Sequence, residues 1–306
     1  MAIHVLHPGM LTTVQDLGRH GYTHLGISPA GAADSLSFRI ANLLVGNDEN
    51  APALEMTLVG ATLHFDSPAV VAVTGSACAL ELDGAPREHS APLHIRAGST
   101  LKCGPLTTSA RAYLTVQGGI DVPLLMGSAS TFLPACFGGL HGRRLQKGDV
   151  LIIGTKIASK PRKAHKPLTI DFSTLRITRG PQSDWFDDAA FSTLFSTPFT
   201  VSDHSGRTGL RLSGEKIVPR HTVQLLTDGI PLGAIQIPSD GQPIILFVDQ
   251  QTTGGYPKIA NVIAADLPRV GQLRPRDIVR FSEVSFDEAI VLLRAQENRL
   301  KEFFQP

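Results

Sequence analysis

The chain has 306 residues, of which 42% are hydrophobic, 18% charged and 6% aromatic, with a formal net charge of +1 and three cysteines. That length allows two ordinary domains with full cores, while the balanced charge supplies no phosphate-neutralising face for nucleic acid. Cys78, Cys103 and Cys136 are far apart and odd in number, no charged-then-apolar leader opens the sequence, and no apolar run reaches bilayer-spanning length, so a cytoplasmic protein without membrane or nucleic-acid partners is expected.

In chain order, Pro8 to Tyr22 comes first. It gathers paired threonines, Gln15, Asp16 and Arg19 with glycines and lacks apolar alternation, so it is expected as a site loop rather than an ordinary strand. Asp34 can N-cap a helix running through Val45 and ending at Gly46-Asn47, with Leu36, Ile40 and Leu43 on its apolar stripe and Ser35, Arg39 and Asn42 on its polar one. Short runs bounded by Gly, Pro and Asp then predict strands at Ala69 to Val73, Cys78 to Leu82, Leu93 to Arg96, Arg111 to Gln117 and Val150 to Ile153. Residues 156 to 167 carry five positive charges and two prolines without apolar period and read as a solvated linker.

Beyond the linker a helix is predicted over Asp184 to Phe195, with strands at Pro198 to Ser202, Ile244 to Val248 and Ile278 to Phe281. The run Ile244 to Val248 delivers Asp249-Gln250-Gln251-Thr252-Thr253-Gly254-Gly255-Tyr256-Pro257-Lys258, a dense set of hydrogen-bonding groups with two glycines that permit close backbone approach to a ligand. Ser285 and Glu288 form a capping box for a C-terminal helix whose buried stripe should be Phe286, Ile290, Leu293 and Leu300.

Three ordered echoes flank the linker: Gly18-Arg19 with Gly206-Arg207, Gly60-Ala61 with Gly233-Ala234, and Asp149-Val150-Leu151 with Asp277-Ile278-Val279. They suggest a duplicated β-rich unit. The expected architecture is mainly β with some helix, as two closed or nearly closed barrels: an N-terminal domain over 1–155, a linker over 156–167 and a C-terminal domain over 168–306.

Common catalytic signatures are missing. There is no P-loop, dinucleotide-binding glycine motif, C-x-x-C, H-E-x-x-H or G-x-S-x-G. His4 with His7 and His20 with His24 lack a third ligand nearby, so no metal is expected. The remaining chemistry suits amide and carboxylate groups, because Thr and Gln offer donor and acceptor to a C(=O)–NH unit while Arg or Lys neutralises a carboxylate or oxyanion. The two polar segments are expected to share one pocket. Lys258 would hold a substrate carboxylate or oxyanion, Asp249 would act as base or orient a ring N–H, and Gln15 would read the amide; Asp16 joins Lys258 and Asp249 as a catalytic candidate, and Arg19, Thr253 and Tyr256 join Gln15 as substrate-binding ones.

Pro8-Gly9, Thr12 to Arg19, Gly21-Tyr22, Ala41 to Asn47, Gln117 to Ile120, Gly233 to Gln236, Asp240 to Ile244 and Thr252 to Lys258 together resemble the allophanate hydrolase subunit 2, or biotin-dependent carboxyltransferase-like, family. That family includes the C-type subunits of ATP-dependent 5-oxoprolinase. The resemblance runs over most of the chain and implies tandem cyclophilin-like β-barrel domains. It implies an enzyme subunit that opens 5-oxoproline to glutamate with A-type and B-type partner subunits, ATP being the co-substrate of the complex. It also adds Asn42, Gln236 and Thr252 to the substrate-binding candidates. Covalent biotin is not expected on this chain. Two alternatives are a regulatory protein that sequesters a B-type partner, and a carboxyltransferase acting on urea or a similar amide with biotin supplied in trans. The chain departs from the family pattern at Gly206, Thr208 and Ser213.

Overall fold

The computed structural model describes residues 1–155, 159–163, 174–221 and 225–304. The chain divides into two compact units. One comprises Met1–Arg19, Ala30–Leu168 and Leu300–Pro306, and the other His20–Pro29 and Thr169–Arg299. Residues 20–29, expected in the domain over 1–155, thus group with the second unit, and the end of the C-terminal helix, expected in the domain over 168–306, groups with the first.

The first unit is built from two antiparallel sheets. Seven strands run in the order Ile120–Asp121, Val150–Ile153, Ala2–His7, Thr62–Phe65, Thr100–Leu106, Cys78–Leu82 and Ala85–Pro86, and five in the order Leu11–Gln15, Ala53–Thr57, Arg111–Val116, Ala69–Gly75 and Leu93–Ile95. Alternate side chains of both sheets, among them Val5, Leu63, Phe65, Leu101, Val14, Leu54, Val73 and Leu114, form one continuous core. The residues between them on the second sheet point the other way, onto the helix Ser35–Leu44: Thr74 Oγ1 donates to Ser37 O at 2.7 Å, and Thr115 Oγ1 to Ala41 O at 2.9 Å. A central strand covered on both faces reads as a continuous buried run, which is why Arg111–Val116 is buried throughout.

That double coverage also explains a correction. Leu11–Gln15 is a strand paired with Ala53–Thr57, not a loop. Its polar residues are buried and bonded inward, with Thr12 Oγ1 on Pro8 O, so no apolar alternation marks it. Asp34 caps the first helix as expected, accepting from Ser37 N at 2.9 Å. Asn42 is fully buried rather than on an exposed polar stripe, and Leu44 is buried where Leu43 was expected.

A buried polar knot fixes the entry to this helix. Glu55 Oε2 accepts from Ala33 N and from the Tyr113 hydroxyl, each at 2.8 Å, while Asp34 N donates to the same hydroxyl at 2.7 Å. Burial, and then the Glu55 carboxylate, push the Tyr113 phenol well above its ordinary range, so it stays neutral in neutral and mildly alkaline solution. Tyr113→Phe removes the hydroxyl from both Asp34 N and Glu55 Oε2, and urea unfolding is expected to show a loss of about 1–3 kcal/mol, the cost of leaving a buried polar group short of its partner.

The second unit is a closed barrel in which Thr174–Arg179, Lys258–Val262, Ala234–Gln236, Ile244–Leu246, Gly209–Ser213, Phe199–Val201 and Ile278–Glu283 neighbour one another in that order. Its ends meet as a parallel pair, with Thr174 level with Arg280. Of the two barrels expected, this one closes, whereas the first unit is a pair of sheets. The echoes do not map onto one strand order. Thr62–Phe65, which follows Gly60-Ala61, does not pair with Ala69–Gly75, yet Ala234–Gln236, which follows Gly233, pairs with Ile244–Leu246. A Gly-Ala step marks a tight turn before a strand and carries no information on that strand's partner. The third echo does recur as a local device: Asp149 O accepts from Val5 N and Asp277 O from Val201 N, both at 2.9 Å.

The helix expected at Asp184 splits into a 3-10 turn, Ser183–Trp185, and a helix Asp188–Ser196 capped by Asp187. The capping box at Ser285 and Glu288 forms with both reciprocal hydrogen bonds. The helix it starts, Phe286–Phe303, corrects the expected stripe: Phe286 is 71% exposed, Ile290 and Leu293 are also exposed, and only Leu300 and Phe303 are buried. The described part of the linker is not free. Ser159 N donates to Gly46 O and Arg162 N to Leu44 O, so residues 159–163 lie along the end of the first helix; the rest of the segment lies outside the described residues.

Candidate functional site

In the first unit the predicted residues Gln15, Asp16 and Arg19 meet the loop after Gly127. Asp16 accepts from Gly18 N at 2.8 Å, Ala129 N and Ser128 Oγ at 2.7 Å, and Ser130 Oγ. Three of the four donors converge on Oδ1 and one on Oδ2, so Asp16 acts as the hub of a loop. Arg19, 1% exposed, donates through Nη2 to Ser130 O and lies 4.8 Å over the Phe137 ring. Gln15 Nε2 donates to Thr13 Oγ1 and Thr131 O, while its Oε1 is buried with no partner among the described residues. Asn42 is likewise committed: Nδ2 donates to Ala51 O at 2.8 Å and Glu49 O at 3.3 Å, and Oδ1 accepts from Asn47. It ties the helix end to the loop that follows and has little left for a substrate.

Gly138 shows how tightly this loop is drawn in. Its φ is +73°, and a Cβ there would strike Ser130 O and reach 2.9 Å from Arg19 Nη2. Gly138→Ala is therefore expected to lower stability by more than about 1 kcal/mol, through backbone strain added to the clash, readable as a fall in melting temperature.

A cavity of about 810 Å³ also lies in the first unit, lined by Asp16, Asp48, Asn50, Asp121, Leu124 and Thr155 among others. Three carboxylates in its wall oppose an anionic ligand. It is the wrong charge for the chemistry of the second polar segment.

That segment lies in the second unit. The pair Asp228–Gly229 and Thr253–Gly254 forms a two-stranded ribbon, and Gln236 stands level with Lys258 in the barrel. Lys258 is fully buried, and its Nζ lies 3.3 Å from Oδ2 of Asp228, whose side chain is 58% exposed. The Asp228 carboxyl is held below its usual range by the Gly229 N–H first and by Lys258 next. Gln182 Oε1 accepts from Lys258 N, and Gln236 Nε2 donates to Tyr256 O. Gln250 Nε2 donates to Ile230 O at 3.0 Å, leaving a buried Oε1 with no partner among the described residues. Above Gly254 two carboxamides converge: a Cβ there would lie 3.1 Å from Gln236 Nε2, 3.5 Å from Gln251 Nε2 and 2.8 Å from Ile230 Cδ1. Thr253 and Tyr256 are exposed, and Thr252 is half-buried with its carbonyl accepting from Ile230 N.

Asp249 is buried and held by Arg207 through two hydrogen bonds of 2.9 Å, from Nε and Nη2. The pair anchors the loop: both oxygens of Asp249, expected as base or as orienter of a ring N–H, accept from Arg207. Ser28, from the 20–29 segment of this unit, donates to Val248 O beside it. Sequence reasoning missed Asp228, Gln182 and Arg207. An Asp-Gly pair reads as a turn signal, and nothing local to residue 228 announces a lysine thirty residues on.

Among the described residues no group of three or more His, Cys, Asp or Glu is placed to hold a metal ion, and no helix is long and apolar enough to cross a membrane.

The chain is 41% identical over 98% of its length to the C-type subunit of 5-oxoprolinase from Escherichia coli (strain K12), spanning 96% of that protein, and 37% identical to its counterpart of the same name from Haemophilus influenzae, spanning 95% of it. It is 35% identical to the urea amidolyase of Saccharomyces cerevisiae but spans only 18% of that longer protein. The crystal structure of the Kluyveromyces lactis urea amidolyase matches 99% of the chain with a TM-score of 0.94 at 34% identity, the chain spanning 20% of it. Residues 25–283 match the model of the carboxyltransferase domain, subdomain A and B, and the chain belongs to that family.

Proposed function

We propose that the chain is a subunit of a 5-oxoprolinase that opens 5-oxo-L-proline to L-glutamate together with A-type and B-type partners at the expense of ATP. The two bacterial relatives named as C-type subunits of 5-oxoprolinase, matched nearly end to end, support this reading. The observation that carries it is the buried Lys258 ammonium on the strand next to Gln236, with the Gln236 and Gln251 amides converging over Gly254. A five-membered lactam bearing a carboxylate needs one cation, one N–H donor for its ring oxygen and one acceptor for its ring N–H. Lys258 supplies the first, the Gln236 and Gln251 amides the second, and Gln250 Oε1 the third. Tyr256 and Thr253 form the exposed rim with the half-buried Thr252 between Gln251 and Thr253, and the Arg207–Asp249 pair fixes the strand end that presents Gln250. In the ring opening the oxygen of a water adds to the lactam carbonyl carbon, the C–N bond breaks, the ring nitrogen leaves as the amine carrying a proton from that water, and the developing oxyanion is stabilised by the same amide donors.

ATP belongs to the complex in this proposal. The N-termini of the helices Ser35–Leu44, Asp188–Ser196 and Phe286–Phe303 carry Asp34, Asp187 and Glu288, which satisfy the end N–H groups and repel phosphate, so those helix ends do not fit a nucleotide. A second reading, carboxyl transfer to urea or a similar amide with biotin supplied in trans, is favoured by the TM-score of 0.94 to the urea amidolyase structure.

The purified chain should be inert toward 5-oxoproline and ATP and gain activity when mixed with its partners. In that complex Lys258→Met, which keeps the buried volume, should lower kcat/KM by about 10²–10³-fold, as expected for loss of a preorganised charge, with partner binding unchanged. Full activity of Lys258→Met would end the site assignment. Partner binding without turnover of any lactam would support regulation by sequestration, and turnover of urea with a biotinylated carrier would support the second reading.

A further inference from the structure

The antiparallel strands Cys78–Leu82 and Thr100–Leu106 bring two of the three cysteines together. Leu80 is level with Cys103, and the register then shifts so that Cys78 is level with Leu106. Residues two apart on a strand share a face, so Cys78 and Cys103 point the same way across a diagonal. His89 completes the group: its Nε2 is 3.6 Å from Cys78 Sγ and 2.8 Å from Cys78 O. Its Nδ1 is buried with no partner among the described residues, so Cys78 supplies the imidazole's hydrogen-bond contacts. Cys103 is 2% exposed, Cys78 is half-buried and reachable, and Cys136 is the exposed thiol.

We propose that Cys78 is a hydroperoxide-reactive thiol, with His89 as its proton partner and Cys103 as its resolving thiol, so that oxidation links the two strands. The Cys78 sulfur attacks one oxygen of the hydroperoxide; an S–O bond forms, the O–O bond breaks, and the departing oxygen leaves as water or alcohol after taking a proton. The Cys103 sulfur then attacks the Cys78 sulfenic acid; an S–S bond forms, and the hydroxyl leaves as water with the Cys103 proton. Two thiols have given two electrons to one hydroperoxide, and a thiol reductant reverses the change. The electrostatics agree with this order. The hydrogen bond from Cys103, followed by His89, pulls the Cys78 thiol down to about 5, while the same contact and burial push Cys103 well up. The titratable groups facing Cys78 are His89 and Cys103; the Glu81–Lys102 ion pair lies further along the same two strands.

The full chain, reduced and then treated with stoichiometric hydrogen peroxide at pH 6.5, should yield a Cys78–Cys103 disulfide in peptide maps while Cys136 remains a thiol. Cys103→Ser should stop at a Cys78 sulfenic acid that dimedone captures. On the unmodified chain, Cys78 alkylation by iodoacetamide should stay fast down to pH 6 and fall only near pH 5, and His89→Gln should slow it at pH 6. Oxidation of Cys136 ahead of Cys78, failure to form the Cys78–Cys103 link, or Cys78 alkylation that titrates in the ordinary thiol range near 8.5 would each overturn the proposal.

Discussion

Asp249→Ala is expected to destabilise the second unit by about 3–5 kcal/mol, because it leaves the Arg207 guanidinium buried without its carboxylate. Arg207 and Asp249 are respectively 4% and 2% exposed in their side chains, and two hydrogen bonds of 2.9 Å join them. The desolvation of both charges is offset only while both are present. Replacing them together, as Arg207→Met with Asp249→Leu, should therefore recover most of the loss. Denaturant unfolding of the two single variants and the double variant tests this as a cycle, and single variants within about 0.5 kcal/mol of the parent, the level of an ordinary surface change, would show that the pair does not anchor the loop. The sequence alone suggests the opposite outcome, since a polar residue in a site loop is expected to leave the melting temperature unchanged.

Asp16→Ala should be of similar size in the first unit. It removes the acceptor of four donors, Gly18 N, Ala129 N and the hydroxyls of Ser128 and Ser130, all within a loop whose serines are fully buried. A buried donor left unmade costs about 1–3 kcal/mol, and even with rotation of the hydroxyls toward other acceptors the sum should exceed about 3 kcal/mol. Asp16→Asn, which keeps one good acceptor, should fall between. Amide exchange would locate the change: Gly18 and Ala129 should lose protection first, and uniform loss across the unit would contradict a local hub.

The sequence was most legible where the signal is local. Asp34 and the Ser285–Glu288 box act within one helical turn, and both caps form as read. It was least legible where burial decides. Thr12, Thr13 and Gln15 look like loop residues because their hydrogen-bond partners, Pro8 O and Thr131 O, are invisible to periodicity. Phe286, Ile290 and Leu293 have the spacing of a buried stripe, yet they face outward, because helical period reports which residues share a face and not whether anything covers it. At the candidate site, Lys258, Gln236, Thr252, Thr253 and Tyr256 are candidates because they cluster in sequence or in the resemblance. Asp228 and Gln182 come to Lys258 only through a ribbon and a turn that no short motif encodes.

The parallel seam between Thr174–Arg179 and Ile278–Glu283 sets the order of events during synthesis. The first strand of the barrel waits for its last, 104 residues later if counted from Thr174 to Ile278. At about 5–20 residues per second, the growing chain holds two unpaired strand edges for roughly 5–20 s. Contacts this distant in sequence make a slow, high-contact-order closure, and an unpaired edge is a template for other chains. A nascent chain arrested before Ile278 therefore keeps both edges open, and only the last strand closes them.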